Sequence, residues 1–169
     1  MAPIDYDAIF EAIKFNDVPE LKTLMNHPNI NVNHTDNDGW SLLHKAAEYG
    51  SIESLKFLLD HPEINVNIKG PERTTPLFTA ITHNHPNSIK ALLAHKDIIV
   101  NIKNTDMMTP LHYAVSLEQV DCIKALMTHE NIDATIKDKN NHTIIDLINK
   151  STSQHKYQML RLITPYTGK

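Results

Sequence analysis

The sequence predicts an all-α solenoid of about five stacked helix–turn–helix units, and three observations support that prediction. The chain repeats itself with a fixed step of 34 residues, which is typical of stacked repeat architectures. Residues that favour the N-cap position, just before the first turn of a helix, recur at that step. Apolar residues then follow at the i, i+3, i+4 spacing of one buried helix face.

The repeat is clearest after the second apolar run of each unit, where a histidine opens a short polar segment. These histidines, His27, His61, His95 and His129, lie 34 residues apart. We expect one domain over residues 1–169, with atypical capping units at both ends. Its units are about 1–34, 35–68, 69–102, 103–136 and 137–169.

The first helix of each unit is marked by three columns of residues. Its start is predicted at Asp7, Ser41, Thr75, Thr109 and Thr143, which are good N-cap residues. A small-residue column of Ala12, Ala46, Ala80 and Ala114 lets neighbouring helices approach closely. Its end is predicted near Asn16, Gly50 and Asn84, residue types that accept a left-handed backbone.

The second helix carries an apolar face such as Leu55, Leu58 and Leu59. Pro28 and Pro62 lie just after two of these helices and stop them. One unit alone cannot cover its apolar face, so each must pack against its neighbours.

The segments Thr75-Pro76-Leu77-Phe78-Thr79-Ala80 and Thr109-Pro110-Leu111-His112-Tyr113-Ala114 resemble the ankyrin repeat family. Its pattern is Thr-Pro-Leu-His-x-Ala, with Val-Asn after the second helix. Val66-Asn67 and Val100-Asn101 match that ending, whereas Phe78 replaces the usual histidine. The resemblance implies a curved stack whose concave face, lined by hairpin loops and first helices, binds protein partners.

Composition disfavours several other classes of function. The net charge of −4 and the 6% aromatic content give no sign of a nucleic-acid site. Apolar runs are too short for membrane insertion. A single cysteine, Cys122, fits a reducing cytoplasm, which could be that of a host cell. We expect a monomer.

Eleven histidines are the strongest hint of chemistry. One histidine per unit cannot converge on a metal ion, because packed helices lie about 8–10 Å apart. We interpret that ladder as helix capping, with ring donors meeting free carbonyls. His44 and His112 are expected to hydrogen-bond between hairpins. His83 and His85 lack a third ligand nearby. We therefore predict no catalytic, cofactor-binding or metal-binding residue.

Positions on the hairpins and at the ends of the first helices need not serve the stack, and we predict that they bind a partner. Large residues there are expected to be exposed and to act as anchors. The alternative is that Trp40 and Met108 merely support neighbouring hairpins. The candidate residues are Asp38, Trp40, Glu48, Tyr49, Glu72, Thr74, Thr82, His83, Asp106, Met108, Tyr113, Ser116 and Leu117.

The acidic column of Asp38, Glu72 and Asp106 favours a protein partner with a basic rim. The predicted function is therefore an adaptor, scaffold or steric inhibitor, and not an enzyme. An alternative is the recognition domain of a larger enzyme or channel, or of a host-directed bacterial effector.

Overall fold

The computed structural model describes residues 3–166, and these residues form ten α-helices arranged as five consecutive pairs. This confirms the all-α repeat architecture. The first helices of the pairs are α1 (Tyr6–Lys14), α3 (Leu42–Tyr49), α5 (Pro76–Thr82), α7 (Pro110–Ser116) and α9 (Ile144–Lys150). The second helices are α2 (Val18–Met25), α4 (Ile52–Leu59), α6 (Pro86–Leu93), α8 (Val120–Leu126) and α10 (Lys156–Ile163).

Side-chain caps define the starts of most first helices. The hydroxyls of Ser41 and Thr109 accept the backbone N–H groups of His44 and His112. The prediction of Asp7 as a cap is wrong. Asp5 caps α1 instead, because its Oδ1 accepts the N–H of Ala8 at 2.9 Å, so Asp7 lies inside the helix.

The turn between the two helices of a pair requires a left-handed residue. Asn16, Gly50 and Asn84 have φ values of 54°, 64° and 55°, which confirms their predicted role. Glu118, with a φ of 56°, is a fourth member that residue type did not reveal. Gly50 is also required sterically, since a Cβ there would lie 2.8 Å from the ring of His85.

One apolar cluster extends from Ile9 in α1 to Ile163 in α10. Ala46, Ala80 and Ala114 have no exposed surface, so the first helices pack at close range. Burial of each large aliphatic side chain contributes roughly 1.5–3 kcal/mol. The stack is thus held by neighbouring units rather than by any unit alone.

An asparagine ladder joins the loops that follow the second helices. The Nδ2 of Asn67 donates to the carbonyl of Asp97 at 2.7 Å, and its Oδ1 accepts the N–H of Ile99 at 2.9 Å. Asn33 and Asn101 bond in the same way to the loop that follows them. These paired bonds explain why asparagine follows valine in three units.

The histidine ladder caps differently from the prediction. The Nδ1 atoms of His27, His61, His95 and His129 accept the N–H two residues later, each at 3.2 Å. The rings therefore act as acceptors for the turn that follows the helix, and not as donors to helix carbonyls. The histidines therefore keep a structural role, but their rings accept hydrogen bonds where they were predicted to donate them.

Candidate functional site

The first-helix face comprises the hairpin loops and the exposed ends of α1, α3, α5 and α7. At the end of each of these helices stands one outward residue, spaced by the repeat. Phe15, Tyr49 and Leu117 are 71%, 42% and 41% exposed, and His83 is also exposed. We call these four residues the terminal row. Three of the four, Phe15, Tyr49 and Leu117, carry large apolar side chains, and exposed apolar side chains gathered on one face are typical of interaction surfaces.

The hairpins are shaped by side chains that accept backbone N–H groups. Oδ1 of Asp36 accepts the N–H groups of Asp38 and Trp40 at 3.0 and 2.8 Å. Asn104 does the same for Asp106 and Met108. The third hairpin has Gly70 at this position and turns through the 3-10 segment Pro71–Arg73 instead. Each loop therefore projects a residue of the predicted acidic column.

The acidic column is only partly available to a partner. Asp38 and Glu72 are exposed, and Glu72 has a left-handed φ of 53°. Asp106 forms an ion pair with Lys139 of the next hairpin, which neutralises its charge. The exposed acid of the second hairpin, Asp38, has no cation in the same loop, whereas Glu72 of the third hairpin lies between the exposed Lys69 and Arg73.

Three residues that were expected to be exposed are half-buried: Trp40, Met108 and Tyr113. The rings of Trp40 and His44 pack edge to face, with 5.3 Å between their centroids. Trp40 also packs over Gly70. Tyr113 packs against Phe78 at 5.6 Å. The expectation that these three side chains are exposed was therefore wrong. Trp40 supports the neighbouring hairpin, which was the alternative interpretation, and Tyr113 supports α5.

At the fourth hairpin, the exposed side chain lies one residue before the predicted one. Met107, and not Met108, is the projecting side chain, 47% exposed with a φ of 58°. The Asn104 turn places Met107 in this left-handed position. The sequence signal was Asn104 at the place of Asp36, two units earlier in the 34-residue register.

The hydroxyl residues of the predicted site bond mainly to their own surroundings. Thr74 Oγ1 donates to the Pro71 carbonyl at 2.7 Å, and Ser116 Oγ to the Tyr113 carbonyl at 2.8 Å. Thr82 Oγ1 donates to the Phe78 carbonyl at 3.0 Å. These local bonds leave the terminal row and the charged groups as the more available features of the face.

A cleft of about 140 Å³ opens between α3 and α5, lined by Trp40, Lys45, Glu48, Thr79 and His83. Lys45 Nζ lies 2.9 Å from Glu48 Oε2 and 3.8 Å from Asp36 Oδ2. Burial disfavours the ammonium, but the hydrogen bond and charge of Glu48, with the charge of Asp36, outweigh it and raise the pKa of Lys45. Two carboxylates thus converge on one cation.

The predicted links between hairpins are present. The Nε2 of His44 donates to the Thr74 carbonyl at 3.3 Å, and the Nε2 of His112 to the His142 carbonyl at 3.4 Å. The Nδ1 of His44 accepts from both the hydroxyl and the N–H of Ser41. Burial lowers the pKa of His44 to about 4, so the ring is neutral at physiological pH.

Reactive groups outside this face have structural partners. Cys122 is buried, burial raises its thiol pKa to about 11, and its Sγ donates to Asn84 Oδ1. In His85, Nε2 donates to the Glu48 carbonyl at 3.0 Å. Within residues 3–166, no three His, Cys, Asp or Glu residues are placed to hold a metal ion together. No helix in the same range has the length and apolarity to cross a membrane.

Comparisons with known proteins agree with this geometry. Residues 9–59 match a family model described as ankyrin repeats in many copies, and residues 63–139 match one described as ankyrin repeats in three copies. Among curated proteins, no significant sequence match was found.

Solved structures show the same fold. A crystal structure described as EF0377, an ankyrin repeat protein, has a TM-score of 0.84 and 18% sequence identity. The alignment covers 100% of this chain and 84% of that one. From the two family matches and the stacked helix pairs, the chain belongs to the ankyrin repeat family, whose repeats are generally protein–protein interaction modules.

Proposed function

We propose that this chain binds a protein partner through its first-helix face. The terminal row carries the proposal, because Phe15, Tyr49, His83 and Leu117 repeat an exposed position in four consecutive units. Packing within the stack does not require large side chains there. Exposed aromatic and aliphatic residues on one face are typical of interaction surfaces.

The acidic residues of the hairpins favour a partner with a basic rim. Asp38 and Glu72 are exposed on the second and third hairpins, on the same first-helix face as the row. Rim charges mainly accelerate association, whereas the apolar row supplies affinity. The partner would therefore present an apolar patch bordered by lysine or arginine residues.

A direct test captures partners from lysate and compares wild type with the double variant Tyr49→Ser/Leu117→Ser. Both side chains are exposed, so the stack should keep its stability. Losing two apolar contacts should weaken a partner at least about tenfold. A captured candidate is then purified, and its affinity for each variant is measured by calorimetry.

The matched control is Ile99→Ser/Tyr157→Ser, which removes two side chains that are 53% and 79% exposed but lie outside the first-helix face. It should bind the partner as wild type does. Equal affinity for all three proteins would contradict the proposal, as would greater weakening by the control.

A further inference from the structure

We propose that the cleft between α3 and α5 is a pocket for one basic side chain of the partner, preferably arginine. This inference rests on the proposed function and names the chemistry at the centre of the same face. The cleft is bounded by Trp40 on the hairpin side and by Lys45, Glu48, Thr79 and His83 along the helices. Trp40, Glu48 and His83 contribute groups that a guanidinium recognises.

The size of the cleft restricts what enters it. Its volume is about 140 Å³, whereas pockets for drug-sized ligands measure about 300–1,000 Å³. One extended side chain fits, and a cofactor or a folded helix does not. The cleft is therefore a subsite for a single residue within a larger protein interface.

The charge of the cleft favours a cation. Glu48 in the wall and Asp36, which lies outside the lining, are two carboxylates that share one ammonium, that of Lys45, at 2.9 and 3.8 Å. With all three groups ionised, this cluster keeps one negative charge. The side chains are 20–29% exposed, so solvent still reaches them, yet they are less screened than at an open surface. An entering guanidinium restores charge balance.

Two rings complete the arrangement. Trp40 offers an indole ring, on which a guanidinium stacks more favourably than an ammonium does. The Nδ1 of His83 is committed to the Thr79 carbonyl at 3.1 Å. In the neutral ring, Nε2 is then left as a hydrogen-bond acceptor. An arginine side chain has enough donors to use both Glu48 and His83.

The walls of the cleft are held in place before any ligand arrives. His44, which supports the Trp40 ring, donates to the Thr74 carbonyl, and His85 donates to the Glu48 carbonyl. These two bonds tie α3 to the hairpin and turn that flank α5. A preformed subsite loses less entropy when it is occupied.

Trp40 is the single tryptophan of the chain, which makes it a site-specific reporter. The experiment titrates the purified protein with N-acetyl-arginine amide while following the indole NMR resonance of Trp40. We expect saturable binding with a dissociation constant on the order of millimolar, as suits a probe of this size. N-acetyl-lysine amide should bind more weakly, and the norleucine and glutamate amides should not shift the resonance.

Three variants identify the interacting groups. Glu48→Gln should weaken the arginine probe by about two- to fivefold, the range of a partly exposed ion pair. Lys45→Met should instead tighten it by a similar factor, because it frees both carboxylates from their internal cation. The control Glu53→Gln, which removes the carboxylate of the exposed Lys56 pair on α4, should change nothing.

Failure here is separable from failure of the proposed function, because the probe requires no partner protein. The inference is overturned if arginine binding is absent, or is equal in wild type and Glu48→Gln, or is weakened by Lys45→Met. It is also overturned if the glutamate amide shifts the Trp40 resonance as strongly as the arginine amide. Partner capture through Tyr49 and Leu117 would stand in any of these cases.

Discussion

The second and third units fill the same repeat position with opposite chemistry. His44 in α3 and Phe78 in α5 are related by the 34-residue step, and both are fully buried. His44 caps its own helix and donates to the next hairpin. Phe78 makes neither bond, and Thr75, the residue before its helix, has no side-chain cap bond. Phe78 packs against Tyr113 of the next unit instead.

The comparison shows that the position must connect one unit to the next, and that polar or apolar contacts achieve this. Where the connection is polar, removing the histidine leaves buried hydrogen-bonding groups without partners, and the desolvation of those groups then costs free energy. Where the connection is apolar, no hydrogen-bond partner is lost, but truncation of the phenylalanine side chain leaves a cavity. Substitutions at the two positions should therefore lower the free energy of unfolding for different reasons.

Phe78→Ala should have the largest effect. Removing a fully buried ring from between α5 and α7 leaves a cavity, and such truncations cost about 3–5 kcal/mol. The free energy of unfolding, measured by urea denaturation, should fall by that amount and keep the same pH dependence. Phe15→Ala, in which a 71% exposed ring is removed, is the matched control. Similar losses for the two variants would contradict the assigned role of Phe78.

The regular part of this fold could be predicted from the sequence because it depends on columns of residue types. The helix order, the Ser41 and Thr109 caps, and the left-handed Asn16, Gly50 and Asn84 all follow from local chemistry. Asp7 was misplaced because Asp5 offers a competing cap two residues earlier. In the last unit, by contrast, the predicted cap Thr143 is the one observed.

The candidate site could be predicted only in outline. Repeat position identified Tyr49 and Leu117, which are exposed. It did not show that Trp40 packs over Gly70, or that Lys139 reaches Asp106, because both contacts cross between units. The cleft also depends on the spacing of α3 and α5, which the packed Ala46 and Ala80 set and a linear pattern does not reveal.

His44→Phe gives the second unit the same residue that the third unit has at this position. The Ser41 N–H and hydroxyl and the Thr74 carbonyl lose a partner, so we expect a loss of about 2 kcal/mol at pH 7.5. This is a smaller effect than that of Phe78→Ala, since the ring volume is kept. Urea denaturation at a series of pH values provides the measurement.

The pH series also tests the neutral state of His44. Its folded pKa of about 4 lies below the ordinary 6.5, so the unfolded chain binds more protons between these values. Wild-type stability should therefore be complete above pH 6.5 and fall by about 3 kcal/mol toward pH 4. Burial also lowers the pKa of His112, in the same direction. The variant lacks the His44 share, so the two stability curves should meet near about pH 5. Parallel curves would show that His44 is not the group responsible.

Gly50→Ala should have the smallest effect, and it probes the junction between the two units. At a φ of 64°, alanine is strained by about 1 kcal/mol, and its Cβ would also lie 2.8 Å from the His85 ring. Moving that ring disturbs the bond from His85 to the Glu48 carbonyl. We expect a total loss of about 1–2 kcal/mol in urea denaturation.

A double-mutant cycle with His85→Ala separates the two contributions. If the clash with His85 matters, the loss in Gly50→Ala/His85→Ala will be smaller than the sum of the single losses. If only backbone strain matters, the losses will add. Because His85 fixes the carbonyl end of α3 beside Glu48, a non-additive result would also show that Gly50 helps to set the wall of the cleft. Additive losses would assign Gly50 to the turn of its own unit alone.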